Sequence, residues 1–126
     1  MFSDPEGPVQ HFTWARFIIN GKEHSRTTGA GKDIIVIGEE VKNWENMGGH
    51  HLTPSSMDCL EGFDLEYLVI GNGVNGMVDI SGSVISRIRD LGIRETIVEN
   101  TPKACSTYNK LHRKGKKAAL LAHGTC

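Results

Sequence analysis

The sequence predicts an α/β domain in which helices pack on the faces of a largely parallel sheet. Short apolar runs bounded by turn residues recur along the chain, and this pattern is typical of buried strands. From Leu65 onward these runs alternate with amphipathic helical patterns, an order that produces parallel strands. A hairpin signal at Asn20-Gly21 adds antiparallel strands. We therefore expect a mixed sheet, or an additional small β layer near the N-terminus.

The bulk composition limits the classes of function. The chain has 126 residues, of which 38% are hydrophobic and 23% charged, and this matches one globular domain over residues 1–126. Its formal charge of −1 does not provide the positive electrostatic potential that nonspecific nucleic-acid binding requires. No apolar run approaches the ~20 residues of a membrane-spanning helix. Three widely spaced cysteines and a first segment unlike a signal peptide indicate a reducing compartment. We expect a cytoplasmic protein with neither a nucleic-acid nor a membrane partner.

Turn and strand signals organise the first 52 residues. Asn20 and Gly21 both tolerate positive φ, which predicts a hairpin at that point. The β-branched run at residues 33–38 is apolar and bounded by turn residues, so it predicts a central strand. Residues 41–52 show no sustained period, and we expect an irregular loop or a short strand there.

Capping signals and apolar spacing define the remaining elements. Thr53 is the predicted cap of a short helix because Pro54 suits the first helical position, and Met57 and Leu60 would then face the core. Thr101 precedes a proline in the same way and is the predicted cap of the last helix. The other predicted elements are a strand at residues 65–70, a helix at 83–91 followed by Gly92, a strand at 96–98, a helix from Thr101 to Gly115 and a strand at 118–122.

A glycine-rich turn follows the strand predicted at residues 65–70. Gly71, Gly73 and Gly76 match the G-x-G-x-x-G spacing of dinucleotide-binding proteins, and Glu99 lies near the offset of a ribose-binding acid. That kind of site needs its third glycine within the start of a helix, so that backbone amides face the pyrophosphate. Four residues intervene here before the first helix start. A strand-to-helix turn with positive φ is therefore the favoured interpretation.

Histidine and cysteine residues suggest two further hypotheses. His50 and His51, with His123 and Cys126, would supply nitrogen and sulfur ligands to zinc if the middle loop lay beside the last strand. Cys126 would act as a nucleophile only beside a base, for which His123 is a candidate. The spacing demands neither, because adjacent histidines point in different directions. Loop histidines that bond to backbone carbonyls are favoured, and we predict no metal and no cofactor.

The end of the last predicted helix is rich in cations. Such a cluster would suit an anion or a nucleic acid. Cations also complement the negative end of a helix dipole, and this use explains most clusters of the kind. We therefore expect a solvated face formed by Lys110, His112, Arg113, Lys114, Lys116 and Lys117.

Several short motifs, taken in order, give the chain a family resemblance. They are Trp44 with Gly48-Gly49-His50-His51, Leu68-Val69-Ile70-Gly71-x-Gly73, Leu91-Gly92-Ile93, the segment from Thr101 to Tyr108-Asn109-x-Leu111, and the closing His123-x-Thr125-Cys126. Together they resemble the adipogenesis-associated domain family, over most of the chain. This family of uncharacterised domains includes a mitochondrial complex I assembly factor and many bacterial and archaeal proteins.

The resemblance implies a three-layer α/β fold with a mixed central sheet. The family keeps the strand and the Gly-x-Gly turn but not a third glycine, which makes Gly76 incidental. No catalytic activity is agreed for the family, and its better-described members resemble assembly or regulatory proteins that act through partners. The first ten residues depart most from the family pattern, and we expect a flexible lead-in there.

The sequence favours a noncatalytic interaction, assembly or regulatory protein with an unidentified protein partner. The alternative is a small-ligand-binding domain or an undiscovered enzyme, because open α/β sheets bind ligands at the carboxyl ends of parallel strands. An exposed edge of the N-terminal hairpin would permit a homodimer. The candidate ligand-binding residues are Gly71, Gly73, His50, His51, His123 and Cys126.

Overall fold

The N-terminal part of the chain folds into a four-stranded antiparallel sheet. The computed structural model describes residues 1–126. The strands of this sheet are β1 (Phe2–Ser3), β2 (Val9–Thr13), β3 (Arg16–Ile19) and β4 (Lys22–Ser25), and each pairs with the next. Asn20 and Gly21, with φ values of 49° and 79°, join β3 to β4. The predicted hairpin is confirmed, and two more strands extend it.

A five-stranded mixed sheet forms the centre of the molecule. Its strands are β5 (Asp33–Ile37), β6 (Glu40–Asn43), β7 (Tyr67–Gly71), β8 (Glu95–Glu99) and β9 (Ala118–His123). They lie in the order β6-β5-β9-β7-β8. Strands β8, β7 and β9 run parallel, whereas β5 is antiparallel to both β9 and β6. The predicted mixed sheet is therefore confirmed, and its parallel part lies after residue 65.

Three helices accompany the central sheet. They are a 3₁₀ helix at Pro54–Leu60, α1 at Gly82–Asp90 and α2 at Thr101–Arg113. The short helix predicted after Thr53 is thus a 3₁₀ helix, and Met57 and Leu60 are buried as expected. Just beyond α1, Gly92 has a φ of 85°, the left-handed conformation that commonly ends a helix. None of the helices combines the length and the apolar composition that crossing a bilayer requires.

Side chains of the central sheet alternate between two hydrophobic cores. Leu68, Ile70 and Leu121 point to the face that the 3₁₀ helix and α1 cover. Val69 and Leu120 point to the opposite face, which α2 and the four-stranded sheet cover. Because both faces are covered, β7 and β9 are uninterrupted apolar runs. The three-layer α/β fold is confirmed.

The segment between β6 and the 3₁₀ helix is irregular and is anchored by Trp44. The buried indole donates a hydrogen bond to the carbonyl of Ser56 at 2.9 Å. The backbone N–H of Trp44 donates to the carbonyl of Asp33, also at 2.9 Å. These bonds fix the loop against the start of β5, and the exposed His50 and His51 follow in the same loop.

The first ten residues, expected to be a flexible lead-in, instead supply β1 and the start of β2. Asp4 accepts hydrogen bonds from Arg113 at 2.5 Å and from Asn109 at 3.0 Å. The buried Asn109 amide also accepts from the N–H of Val9 and donates to its carbonyl. Helix α2 therefore holds this segment through contacts between residues that are 100 to 109 positions apart in the sequence. Local sequence patterns do not indicate such contacts.

Candidate functional site

The candidate site lies at the carboxyl edge of the central sheet. Strands β7, β8 and β9 are parallel, so their carboxyl ends meet at one edge. Asp33 opens the antiparallel strand β5 and pairs with His123, the last residue of β9. The turn that contains Gly73 leaves β7 at the same edge. A carboxylate, an imidazole and a glycine turn are thereby brought together from three strands.

Thr101 joins three segments at this edge. Its buried hydroxyl accepts a hydrogen bond from the N–H of Gly73 at 3.0 Å and donates one to the carbonyl of His123 at 2.7 Å. The N–H of Thr101 in turn donates to the carbonyl of Gly73 at 3.0 Å. The start of α2 therefore fixes the turn after β7 against the end of β9.

The prediction that Thr101 caps α2 is wrong. The cap is Asn100, whose side-chain oxygen accepts a hydrogen bond from the N–H of Lys103 at 3.1 Å. Two potential caps stand side by side in the sequence, and asparagine is the stronger of the two. Thr101 becomes the first helical residue, which leaves its hydroxyl for the contacts with Gly73 and His123.

Gly73 lets residues 123–126 dock against the turn after β7. Its φ is 105°, and a Cβ there would overlap the carbonyl group of Cys126. The N–H of Val74 donates to the carbonyl of Thr125 at 2.7 Å, and the N–H of Met77 donates to the carbonyl of Cys126 at 3.1 Å. These backbone bonds fix the position of Cys126, whose side chain is half-buried.

The other two glycines of the turn have different roles. Gly71 ends β7, where a Cβ would press against Thr101 and Ala104 of α2. Gly76 has a φ of 66°, but the next helix starts only at Gly82. The third glycine therefore lies outside any helix, so the turn lacks the pyrophosphate-binding geometry of a dinucleotide fingerprint.

His50, His123 and Cys126 form a cluster of three potential ligand groups. One ligand atom of each residue lies within 4.8 Å of the other two. His50 Nε2 is 3.2 Å from Cys126 Sγ, and the two imidazole rings meet edge to face with centroids 5.8 Å apart. His50 is exposed, Cys126 is half-buried and His123 is buried. The cluster therefore opens to solvent on the side of His50.

Asp33 orients the buried imidazole of His123. The ring Nδ1 lies 2.7 Å from Asp33 Oδ1, and Nε2 lies 3.0 Å from the hydroxyl of Thr125. A carboxylate only accepts hydrogen bonds, so we assign the proton of the neutral ring to Nδ1. The lone pair is then on Nε2, where it accepts the hydrogen bond from Thr125.

The carboxylate of Asp33 is held in its charged form. Burial raises its pKa, but hydrogen bonds from His123, Lys32 and the N–H of Gly124 outweigh burial and lower the pKa to about 2. Lys32 Nζ lies 2.6 Å from Oδ2, and the N–H of Gly124 donates to Oδ1 at 3.1 Å. A carboxylate in this position keeps the proton of a neutral imidazole on Nδ1.

His51 does not join the cluster. Its Nδ1 faces Asp79 Oδ2 at 3.3 Å, and the two side chains are 81% and 76% exposed. The backbone of the loop pairs with Asp79, because the N–H of Leu52 donates to the Asp79 carbonyl and the N–H of Asp79 donates to the His50 carbonyl. The side chains of His50 and His51 consequently point apart. Of the six candidates, the structure gathers His50, His123 and Cys126 around Gly73, with Gly71 behind them.

Three polar residues of the site cannot be recognised as site residues from the sequence. Asp33 contacts His123 across 90 positions, and Thr101 contacts Gly73 across 28. The only local signal for Asp33 is a carboxylate at the start of an otherwise apolar strand. Thr125 lies within the closing motif, but nothing there indicates that its hydroxyl meets the ring of His123.

A groove in the surface lies away from the cluster. It is a groove of about 720 Å³ beside β5, β6 and the 3₁₀ helix, with apolar side chains such as Ile37, Val41 and Phe63 among charged ones such as Lys42. None of the candidate ligand-binding residues lines it. Cys59 contributes a thiol to the groove, but burial raises its pKa to about 11. A thiol with so high a pKa is a poor nucleophile at neutral pH.

The cations near the end of α2 are exposed, as the sequence indicates. Two of them form ion pairs, Arg113 with Asp4 at 2.5 Å and Lys117 with Asp64 at 2.6 Å. Exposed pairs of this kind contribute little to stability. The surface is a solvated face, and we assign no site to it.

Several solved structures share this fold. A conserved hypothetical protein from Pyrococcus horikoshii OT3 has a TM-score of 0.77 and 21% identity, over 94% of this chain and 98% of that one. A protein described as an outer membrane protein from Bartonella henselae has a TM-score of 0.70 and 19% identity, over 95% and 96%. A Mth938-like domain from Bordetella pertussis has a TM-score of 0.64 and 18% identity, over 98% and 91%. At these identities the comparison establishes the fold alone.

The family to which the chain belongs is identified from the sequence, by a match to a family model. Among curated proteins the comparison finds no match. A family model described as a protein of unknown function, DUF498/DUF598, matches residues 9–123. This match confirms the resemblance to a family of uncharacterised domains. The chain belongs to the DUF498/DUF598 family of proteins of unknown function.

Proposed function

We propose that this protein binds a small ligand at the carboxyl edge of its central sheet. The observation that carries the proposal is the convergence of His50, His123 and Cys126, whose ligand atoms lie within 4.8 Å of one another. Open α/β sheets usually bind ligands at this edge. Gly73 and Thr101 support the cluster, because they fix the backbone on either side of it.

The cluster offers a ligand two imidazoles and one thiol. His123 has Nδ1 committed to Asp33, so a ligand would meet its Nε2. His50 Nε2 and Cys126 Sγ lie 3.2 Å apart, which is close to the distance at which an imidazole accepts the proton of a nucleophilic thiol. The same pair would therefore serve an enzyme as well as a binding protein. The binding proposal requires only that the ligand contacts these three side chains.

A ligand screen with matched variants tests the binding proposal. Thermal-shift and native mass spectrometry measurements would use nucleotides, phosphates and metal salts with the wild type, His50→Ala and His51→Ala. We expect at least one class to raise the Tm of the wild type and of His51→Ala, and to lose this effect in His50→Ala. The proposal is wrong if nothing binds, or if both variants lose binding equally.

A second candidate function is a noncatalytic interaction, assembly or regulatory role with a protein partner. The groove of about 720 Å³ favours it. Apolar side chains bordered by charged ones are typical of protein interfaces, and Ile37, Val41, Lys42 and Phe63 give the groove this character. Phe63 is 40% exposed, and exposed aromatic residues commonly anchor a partner.

Affinity capture with two aromatic variants tests the partner role. Phe63→Asp alters the groove, whereas Trp14→Asp alters a residue that is 45% exposed elsewhere on the surface. We expect the wild type and Trp14→Asp to capture the same specific partner, and Phe63→Asp to lose it. Equal capture by the two variants would exclude the groove, and an absence of any specific partner would contradict the role itself.

We also propose a cytoplasmic location and a homodimer. Free thiols support the location, because Cys59, Cys105 and Cys126 are all unpaired and the cluster needs a reduced sulfur. The position of β4 at the end of its sheet supports the dimer, because edge strands can pair with another chain. Cell fractionation and light scattering would measure both properties. Recovery in a membrane fraction, or a monomeric mass at high concentration, would contradict them.

A further inference from the structure

The donor set of the cluster has the composition of a transition-metal site. His50, His123 and Cys126 come from three segments, namely the loop after β6, the end of β9 and the residues that follow it. Zinc in proteins is bound by imidazole nitrogen and thiolate sulfur, whereas calcium and magnesium take oxygen ligands. The nearby carboxylate of Asp33 is engaged with His123 and Lys32. The three donors therefore favour zinc over the hard cations.

The distances in the cluster are close to those around one tetrahedral ion. Zinc–nitrogen and zinc–sulfur bonds of about 2.0 and 2.3 Å place the ligand atoms about 3.5 Å apart. His50 Nε2 and Cys126 Sγ are 3.2 Å apart, and all three ligand atoms lie within 4.8 Å. Two imidazoles on one zinc have ring centroids about 5 Å apart, and the two rings here are separated by 5.8 Å. Side-chain movements of about 1 Å would bring all three ligand atoms to the tetrahedral separation.

Asp33 gives His123 the outer partner that a metal-bound histidine requires. Metal ligands of this type usually donate their second ring N–H to a carboxylate, which fixes the tautomer and raises the basicity of the ligating nitrogen. Asp33 accepts from Nδ1 at 2.7 Å and is itself held by Lys32 and by the N–H of Gly124. The Nε2 lone pair, which accepts from Thr125, is the one that a metal would take.

We propose that His50, His123 and Cys126 bind one Zn²⁺ ion and leave its fourth position open. The inference rests on the proposed ligand site and names the class of its ligand. On binding, the thiol of Cys126 releases its proton to solvent and the thiolate forms the Zn–S bond. The hydroxyl of Thr125 gives up its hydrogen bond to Nε2 of His123. Three protein ligands and one exchangeable position let zinc take a further ligand.

A cobalt titration followed by absorption spectroscopy tests this site. Co²⁺ takes the place of Zn²⁺, and a thiolate bonded to Co²⁺ produces a charge-transfer band in the near ultraviolet. Metal-free protein would be titrated with cobalt chloride and then with zinc chloride. We expect one ion per chain, a charge-transfer band, and displacement of cobalt by zinc. Cys126→Ser should lose the band, whereas Asp33→Asn should keep it with an affinity about 10–100-fold lower.

Two variants outside the cluster serve as matched controls. His51→Ala removes a neighbouring histidine that faces Asp79, and Cys59→Ser removes a thiol that lines the groove. Both should bind cobalt with wild-type affinity, and circular dichroism would establish that Cys126→Ser is folded. A wild-type titration without the charge-transfer band would overturn the proposal. So would a band that survives in Cys126→Ser.

Failure of the zinc site can be distinguished from failure of the ligand site. If no metal binds but another compound of the screen raises the Tm through His50, the zinc inference alone is overturned. If neither metals nor other compounds bind, both proposals are overturned. Zinc binding that depends on Cys126 and His50 but not on His51 supports both.

Discussion

Thr101→Val removes the hydroxyl that joins three segments of the candidate site. Valine has nearly the same shape, so packing at this fully buried position is preserved. The change leaves the N–H of Gly73 and the carbonyl of His123 without their hydroxyl partner, at 3.0 and 2.7 Å. A buried polar group that loses its partner costs about 1–3 kcal/mol, so two such groups cost about 2–6 kcal/mol. That loss is large beside the ~5–15 kcal/mol that stabilises a typical domain.

Urea unfolding followed by tryptophan fluorescence measures the loss. The midpoint should fall while the slope m stays constant, because the same surface is exposed on unfolding. Thr101→Ser keeps the hydroxyl and should lose only about 1 kcal/mol, the contribution of one buried methyl group. Thr27→Val, at an exposed position, should change stability by less than about 0.5 kcal/mol. A Thr101→Val protein as stable as the wild type would refute the role assigned to this hydroxyl.

Three further perturbations address the acid, the turn and the thiol of the site. Asp33 has a pKa of about 2 instead of the ordinary 3.8, so its charge adds about 2 kcal/mol of stability above about pH 4, which is lost as the pH falls to about 2. Asp33→Asn should remove this loss from the free energy of unfolding measured with urea over that pH range. Asp64→Asn, at a side chain 83% exposed, should keep the pH dependence of the wild type. The same pH dependence in both variants would contradict the role of Asp33. Gly73→Ala should lower the free energy of unfolding by about 2 kcal/mol or more in the same assay, because the new Cβ would overlap the carbonyl group of Cys126. An unchanged urea midpoint would count against that contact. Cys126 should react with iodoacetamide much faster than Cys105, which is fully buried and whose pKa is raised by burial. Peptide mass spectrometry would measure the two alkylation rates, and equal rates would argue against the burial of Cys105.

The strands and the hairpin could be predicted because their signals are local. Strands β7 and β9 are apolar at consecutive positions, since both faces of the central sheet are covered. The Asn20-Gly21 pair specifies its own turn. The sequence does not show that the first ten residues are structured. Asp4 and Val9 are held there by Asn109, which lies near the other end of the chain.

The candidate site could be predicted only as a set of residue types. His50 and Cys126 are 76 positions apart, and Asp33 and His123 are 90 positions apart. They meet because β9 lies between β5 and β7, an order that strand and helix patterns do not specify. The sequence favours loop histidines bonded to backbone carbonyls, whereas His50 faces a thiol and His51 faces Asp79.

Long-range ¹H–¹⁵N spectra of the histidine rings, recorded during a zinc titration, would show which histidines bind the metal. The chain has six histidines, and each ring gives its own pair of nitrogen signals. Before zinc is added, His123 should carry its proton on Nδ1, facing Asp33. At one equivalent of zinc, the Nε2 signals of His50 and His123 should shift together while those of His51 stay in place. Shifts confined to His51, or no shift in any ring, would contradict a zinc site formed by His50, His123 and Cys126.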